Sequence, residues 1–284
     1  MTHQPTAKLT TTASAACLIV LFPLLSAFPS GETAEASSEP AATTPEAVFP
    51  HSFMNDGELS IEAAVEYFED LYRSDSSVGE ARLTVTRPRS ERTLDMKVWS
   101  KGDDKALIVI QSPPREGGTA TLKVDDTLWN YLPRIKRTIR IPPSMMLSPW
   151  MGSDFTNDDL VKEAELTEDY TYELVGESDD PKGWLIRFTA RPDIVGLWNR
   201  FDLVVNQEGT LPIKADYYDR KDRLARTMTW DKVEVFDGKR LPARMTLVPT
   251  QEEDHKTVLE YLSLDFDVSL PDSKFSLAEL ERSR

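Results

Sequence analysis

Hydrophobic residues recur at a spacing of two along most of this chain, which predicts β-strands with one apolar face. Leu94, Met96 and Val98 alternate with Asp95 and Lys97, for example. Each run is short and ends in turn residues. The pattern predicts antiparallel strands joined by hairpins, with the second face toward water.

The runs fall into two sets and together give about eleven strands. They cover residues 82–86, 94–98, 120–124, 138–141, 170–176, 183–190, 200–206, 211–218, 223–235, 241–248 and 256–267. A helix precedes them, from about Ser60 to Arg73, because its apolar residues repeat at helical spacing. The composition of elements is α+β and mainly β.

The stretch from Pro142 to Leu160 separates the two sets and shows no strand alternation. Thr156, followed three residues later by Asp159, predicts the start of a short helix. The stretch is rich in methionine, which suits surfaces that repack around variable apolar ligands. Two interpretations stay open: a lid over a pocket, or part of an ordinary core.

The N-terminus predicts a secretory signal peptide over residues 1–30, with Lys8 before a short apolar run that Pro23 interrupts. An uncleaved membrane anchor is the alternative. Cleavage is expected near Ala27 or near residues 34–36. Cys17 lies early in the apolar run and is interpreted as part of the signal, so the mature chain would lack cysteine. Residues 31–57 predict a disordered tether, and residues 58–284 one domain.

The acidic composition excludes several classes of function. The formal charge is −15, and removal of Lys8 with the signal leaves −16. Such a surface repels nucleic acid and anionic lipid, so membrane contact would have to be apolar or local. It favours a soluble monomer. No metal-ligand spacing, nucleophile elbow or phosphate-binding loop occurs, and His255 is interpreted as a surface residue. We expect no enzyme activity, no metal and no cofactor.

Apolar and aromatic residues crowd into one third of the chain and are the candidates for a ligand cavity and its lid. They are Trp99, Leu128, Trp129, Tyr131, Ile139, Met145, Met146, Leu147, Trp150, Met151 and Phe155. An ordinary hydrophobic core is the alternative for each of them.

Arg137 is in phase with Ile139 and Ile141, so the alternation points it toward the apolar face, where an arginine needs a partner. Asp154, Asp158 and Asp159 are candidate partners, and a pair of Arg137 with Asp154 would latch the lid. The alternative is a local bulge that turns Arg137 outward.

The segment from Asp126 to Leu160 resembles the LolA-like superfamily, in particular proteins called outer-membrane lipoprotein-sorting proteins. The resemblance rests on Leu-Trp-x-Tyr-Leu-Pro at 128–133, on Trp-Met-Gly-Ser-Asp-Phe at 150–155 and on Leu-Pro-x-x-x-Phe at 270–275. It covers about residues 60–280. The 150–155 segment resembles a less characterised branch of the superfamily, so the cargo of the classical carriers does not transfer to this chain.

The resemblance implies an unclosed β-barrel, with helices and a loop covering its concave face. It also implies a periplasmic carrier that binds acyl chains of lipoproteins or lipids, with an inner-membrane transporter and an outer-membrane acceptor as possible partners. The alternative is a non-transport module, such as a sensor or an accessory subunit of a transporter, that uses the same cavity.

Overall fold

The fold is known from a computed structural model that describes residues 52–72, 74–161, 166–192 and 198–282. The predicted signal peptide and most of the predicted tether lie outside these residues. The first two elements, β1 (Met54–Asn55) and β2 (Glu58–Leu59), form a small hairpin. The amide of Phe53 donates to the carbonyl of Glu208, 2.8 Å away. The predicted boundary at residue 57 therefore lies inside a hairpin that is attached to the domain.

Helix α1 (Ile61–Asp70) follows Ser60 and ends three residues before the predicted Arg73. Its apolar stripe is buried as the spacing predicts: Ala64, Val65 and Phe68 all join the main core.

Thirteen strands of the described chain form one antiparallel sheet that does not close into a barrel. The strands are β3 (Ser76–Arg87), β4 (Ser90–Lys101), β5 (Lys105–Ser112), β6 (Ala120–Val124), β7 (Thr127–Leu132), β8 (Arg137–Arg140), β9 (Tyr170–Asp179), β10 (Lys182–Ala190), β11 (Arg200–Val205), β12 (Pro212–Tyr218), β13 (Leu224–Phe236), β14 (Lys239–Pro249) and β15 (Lys256–Phe266). Their order across the sheet is β8-β7-β6-β5-β4-β3-β15-β14-β13-β12-β11-β10-β9. The open antiparallel sheet confirms the predicted fold class.

The large sheet contains two strands more than the eleven expected, because β5 and β7 do not alternate. Residues Ala106–Ile110 of β5 are all buried, so both faces of this strand are apolar. The second face is covered by the C-terminal tail, which comprises a 3₁₀ turn (Asp272–Phe275) and helix α4 (Leu277–Arg282). Phe275 and Leu280 pack there with the outer sides of β5, β6 and β7. The prediction that the second face of the sheet is exposed to water is therefore wrong for these strands.

Glycines permit close approach of the backbone at two places in the sheet. Gly79 of β3 pairs with Leu264 of β15, close to a register shift between Tyr261 and Ser263, and a Cβ there would be 2.8 Å from the carbonyl oxygen of Ser263. A Cβ on Gly183 of β10 would overlap the carbonyl oxygen of Val205. Register shifts such as the one near Gly79 bend strands and increase their twist.

The segment between β8 and β9 crosses the concave face of the sheet, and we call residues 142–161 the lid. It contains 3₁₀ turns at Pro143–Met145 and Trp150–Gly152 and helix α2 (Asn157–Val161). The amide of Thr156 donates to the Asp159 carboxylate at 2.8 Å, and the amide of Asp159 donates to Thr156 Oγ1 at 3.2 Å. This reciprocal cap confirms the predicted start of a short helix. A further short helix, α3 (Leu166–Asp169), leads into β9.

Candidate functional site

An apolar cavity lies between the concave face of the central strands and the lid. Its volume is about 50 Å³, enough for a few water molecules at roughly 10–15 Å³ each. Its wall is made largely of aliphatic side chains from β3–β6 and β15, together with lid residues. The lining residues are Ala81, Leu83, Met96, Val98, Ala106, Ile108, Thr121, Lys123, Leu128, Trp150, Phe155, Leu160, Leu259 and Tyr261.

Two aromatic residues of the lid are buried beneath it and line the cavity. Trp150 is 4% exposed and Phe155 is 1% exposed. The indole Nε1 of Trp150 donates to Thr121 Oγ1 at 3.1 Å, and Thr121 in turn donates to the side chain of Asn130 at 2.8 Å. The lid therefore occupies the concave face with its own side chains and satisfies its buried polar group there.

A tight turn points both aromatic residues inward. Met151 and Gly152 have positive φ angles of 49° and 68°, a pair of left-handed residues that reverses the chain. The amide of Trp150 donates to the carbonyl of Phe155 at 2.7 Å, which closes the loop. Gly152 adopts this conformation without cost, whereas the left-handed form of Met151 costs about 1–2 kcal/mol. The lid thus holds some local strain next to its aromatic residues.

Polar contacts attach this turn to the centre of the sheet. The carboxylate of Asp154 lies 3.0 Å from a guanidinium nitrogen of Arg87 on β3 and accepts a hydrogen bond of 2.6 Å from Thr257 on β15. Arg92 of β4 donates to the backbone carbonyl of Met151. Asp154 was predicted to pair with Arg137 as a latch of the lid, but its arginine partner is Arg87.

A second attachment joins helix α2 to strand β13. Arg226 donates to both carboxylate oxygens of Asp159, at 2.9 and 3.2 Å, and the two side chains are 5% and 0% exposed. Burial raises the pKa of the Asp159 carboxyl and lowers the pKa of the Arg226 guanidinium, because each charge is separated from water. The guanidinium also lies over the rings of Trp198 and Tyr217, at 4.5 and 4.8 Å.

Several predicted site residues lie in or beside the cavity. Leu128, Trp150 and Phe155 line it. Met146 packs beside Leu128 in a small cluster with Ile141. Met151 is partly buried against the main core.

Other predicted residues lie elsewhere. Trp99, Trp129 and Tyr131 are on the convex side, where they pack with Phe275 and Leu280 of the C-terminal tail. They were misplaced because the sequence alternation does not reveal that the tail makes this second face apolar.

The remaining predicted residues face outward. Ile139, Met145 and Leu147 are 42–58% exposed. Arg137 is exposed as well. Its register opposite Leu132 places it on the face predicted by the alternation, but β8 is the edge of the sheet, so its end remains open to water.

Two polar cavity residues were missed. Thr121 and Lys123 of β6 line the cavity, whereas Ala120 and Leu122 pack beneath the tail. The Lys123 ammonium donates to the carbonyl of Asp103 at 2.6 Å, so its stem forms cavity wall while its charge lies at the rim. The apolar alternation gave the wrong face for this strand, since the more apolar set faces the tail.

One group in the described chain has the composition of a metal site: the ligand atoms of Asp154, Glu252 and His255 lie within 4.8 Å of one another. His255 Nδ1 contacts Glu252 and lies 3.9 Å from Asp154. The carboxylate of Asp154 is already bound by the Arg87 guanidinium. This cation makes the cluster an ion-pair network. His255 is partly buried in it, not a surface residue.

The sheet is an open antiparallel half-barrel, with a helix and the lid over its concave face. A family model described as an uncharacterized protein family matches residues 102–282. The chain belongs to this family, DUF1329. No curated protein matches the sequence.

Three solved structures share the fold. A DUF1329 family protein from Desulfovibrio piger is 28% identical, with a TM-score of 0.68, and the match covers 78% of this chain and 98% of that one. A putative outer membrane lipoprotein-sorting protein domain from Vibrio parahaemolyticus is 22% identical, with a TM-score of 0.66 over 78% and 98% of the two chains. A LolA superfamily protein from Nitrosomonas europaea is also 22% identical, with a TM-score of 0.63 over 78% and 100%.

Proposed function

We propose that this protein is an exported, periplasmic carrier that binds acyl chains of lipoproteins or other lipids against the concave face of its sheet. The observation that carries the proposal is the position of Trp150 and Phe155, which cover an apolar wall with the lid's own side chains. The likeness to lipoprotein-sorting and LolA superfamily structures supports it. The described residues contain no helix long and apolar enough to span a bilayer.

Exchange between lid and cargo gives a simple mechanism. A buried CH₂ contributes about 0.8 kcal/mol, so a long acyl chain gains of order 10 kcal/mol before ordering costs. The cavity of about 50 Å³ is too small for such a chain while the lid is down. Cargo therefore has to displace Trp150 and Phe155, and the return of these side chains drives its release.

The test is native mass spectrometry with lipid extraction on protein purified from the cell envelope without detergent. We expect an acyl-containing species near a one-to-one ratio. Ala81→Leu combined with Ala106→Leu adds side-chain volume to the wall and narrows the cavity. The double variant should no longer carry the acyl-containing species. Trp129→Leu on the convex side is the matched control and should retain it.

An empty protein that also fails to take up a fluorescent fatty-acyl probe would contradict the carrier function. Strong binding of that empty protein to a purified transporter would instead support the sensor or accessory-subunit alternative.

A further inference from the structure

The hairpin of β7 and β8 carries positive charge at one edge of an acidic protein. Arg134 and Lys136 lie in its turn and Arg137 and Arg140 on its edge strand, and all four are exposed. Residues 127–153 contain these four cations and no acidic residue, although the whole chain has 48 acidic and 33 basic residues. The local charge is therefore opposite in sign to that of the whole protein.

Aliphatic side chains are exposed among these cations. Ile135 is 59% exposed and Ile139 is 42% exposed, and Met145 and Leu147 of the adjoining lid are 47% and 58% exposed. Sheet edges are commonly protected from aggregation by charge, but such protection does not require exposed isoleucines. Mixed cations and aliphatic groups are typical of surfaces that contact lipid headgroups and the acyl boundary below them.

The strand register places Arg134, Lys136 and Arg137 at one end of this part of the sheet, whereas Arg140 lies opposite Trp129, toward the other end. The β7–β8 turn and the β5–β6 loop, which carries the exposed Arg115, lie at one end because β5 and β7 run in the same direction. The turns at the opposite end join β4 to β5 and β6 to β7. They contain Asp103, Asp104, Asp125 and Asp126.

Of the acidic groups near the basic end, one faces another arginine and one lies on the convex side of the edge strand. Glu116 lies 3.7 Å from Arg92, and Glu281 accepts a hydrogen bond from Thr138 on the convex side of β8. The acidic loop at 252–254 precedes β15, five strands from β7. That separation is about 24 Å along the sheet at roughly 4.8 Å per strand, more than twice the Debye length at physiological ionic strength.

We propose that Arg134–Arg140 together with Met145 and Leu147, here called the basic edge, docks on a bilayer surface that contains anionic phospholipid. The cations bind headgroup phosphates, and the aliphatic side chains enter the boundary between headgroups and acyl chains. The basic edge adjoins the lid: Ile141 and Met146 connect it to Leu128 in the cavity wall. Docking would place the lid, where the proposed exchange with cargo takes place, next to the membrane surface.

This inference deepens the proposed carrier function, and its test separates the two. Protein purified from cells expressing the complete chain is mixed with vesicles of phosphatidylethanolamine and phosphatidylglycerol, and with vesicles of phosphatidylcholine alone. We expect flotation with the anionic vesicles, weakened by added salt. The test variant combines Arg134→Gln, Lys136→Gln, Arg137→Gln and Arg140→Gln.

This variant should lower the vesicle partition coefficient by at least roughly 100-fold, since each cation contributes a factor of about five. The matched control removes four exposed cations from the other half of the sheet. It combines Lys182→Gln, Arg220→Gln, Lys221→Gln and Arg240→Gln. This control should retain vesicle binding. Ile135→Ser with Leu147→Ser should weaken binding without changing the salt dependence.

Equal loss in the test and control variants, or no flotation of the unmodified protein, would overturn the proposal. Lack of flotation together with crosslinking of residue 135 to an acidic protein would assign the basic edge to a protein partner. Flotation without uptake of a fatty-acyl probe would reject the carrier function and leave docking intact. Uptake of the probe from solution should be unchanged in the Arg134–Arg140 variant.

Discussion

Asp159 of the lid and Arg226 of β13 form a two-point ion pair that is withdrawn from water. Removal of one partner leaves the other charge buried without the counter-charge of this pair. We expect Asp159→Leu and Arg226→Met each to lower the free energy of unfolding by about 3–5 kcal/mol, measured by urea denaturation.

The double variant should recover much of this loss, because it removes both members of the ion pair together. The exposed pair of Arg244 with Asp231 is the control, and its removal should cost less than about 1 kcal/mol. A double variant as unstable as the sum of the single variants would contradict the interpretation of a coupled pair.

Trp150 fills the space beneath the lid, so Trp150→Ala should both destabilise the fold and enlarge the cavity. We expect a loss of about 3–5 kcal/mol and tighter binding of a fatty-acyl probe, because the lid no longer competes for the apolar wall. Probe titration and urea denaturation measure the two effects. Trp129→Ala on the convex side should destabilise without tighter binding. Equal affinity of both variants would disprove the competition.

Arg87 and Thr257 hold the lid at Asp154. Arg87→Met should therefore open the lid locally more often, and hydrogen exchange should accelerate at residues 150–155. Arg82 lies on the same strand as Arg87 and forms an exposed ion pair with Asp95 of β4. Arg82→Gln removes this pair and should leave hydrogen exchange in the lid unchanged. Exchange that accelerates equally throughout the sheet would show global destabilisation instead.

The carboxylate of Asp202 on β11 makes a pH-dependent contribution to stability. Burial alone would raise the pKa of its carboxyl, but hydrogen bonds from Arg187 and Arg200 lower it below the ordinary 3.8. The stabilisation is therefore complete above that value and is lost as the pH falls through the lowered pKa of the folded state. The stability difference between the protein and its Asp202→Asn variant should shrink in this acidic range. A constant difference would contradict this assignment.

Gly183 permits β10 to approach β11 closely. Gly183→Ala should cost at least about 1–3 kcal/mol, because the new Cβ overlaps the Val205 carbonyl. Gly117→Ala is the control, since its Cβ would lie at ordinary contact distance, 3.5 Å from the Gln111 carbonyl oxygen. Similar thermal unfolding of both variants would show that the strands adjust freely.

Local sequence patterns predicted those parts of the fold that depend on a single water-facing boundary. The stripe of α1, the capped start of α2 at Thr156 and the alternating strands at 183–190 and 256–267 all lie where one face is polar. Prediction failed at β5 and for the inward side of β6, because the tail buries a second face there. Long-range covering of this kind leaves no periodic signal within the covered strand.

The sequence indicated the lid residues of the candidate site, but it did not indicate the residues that attach the lid to the sheet. Trp150 and Phe155 stood out because they lie in a segment without alternation. Arg87 and Arg226, by contrast, lie on strands whose alternation gave no indication of which aspartate each would meet. Arg137 was assigned to the correct face, but the sequence does not show that its strand ends the sheet.

The lid also has a mechanical consequence for the sheet. It is packed against β7 through Met146 and bonded to β13 through Asp159, and seven strand spacings, about 34 Å, separate these strands along the curved sheet. The lid therefore connects two strands that are far apart in the sheet, across its concave face. If cargo displaces the lid as proposed, the lid no longer fixes the distance between these two strands, and we expect the curvature of the sheet and the occupancy of its concave face to change together.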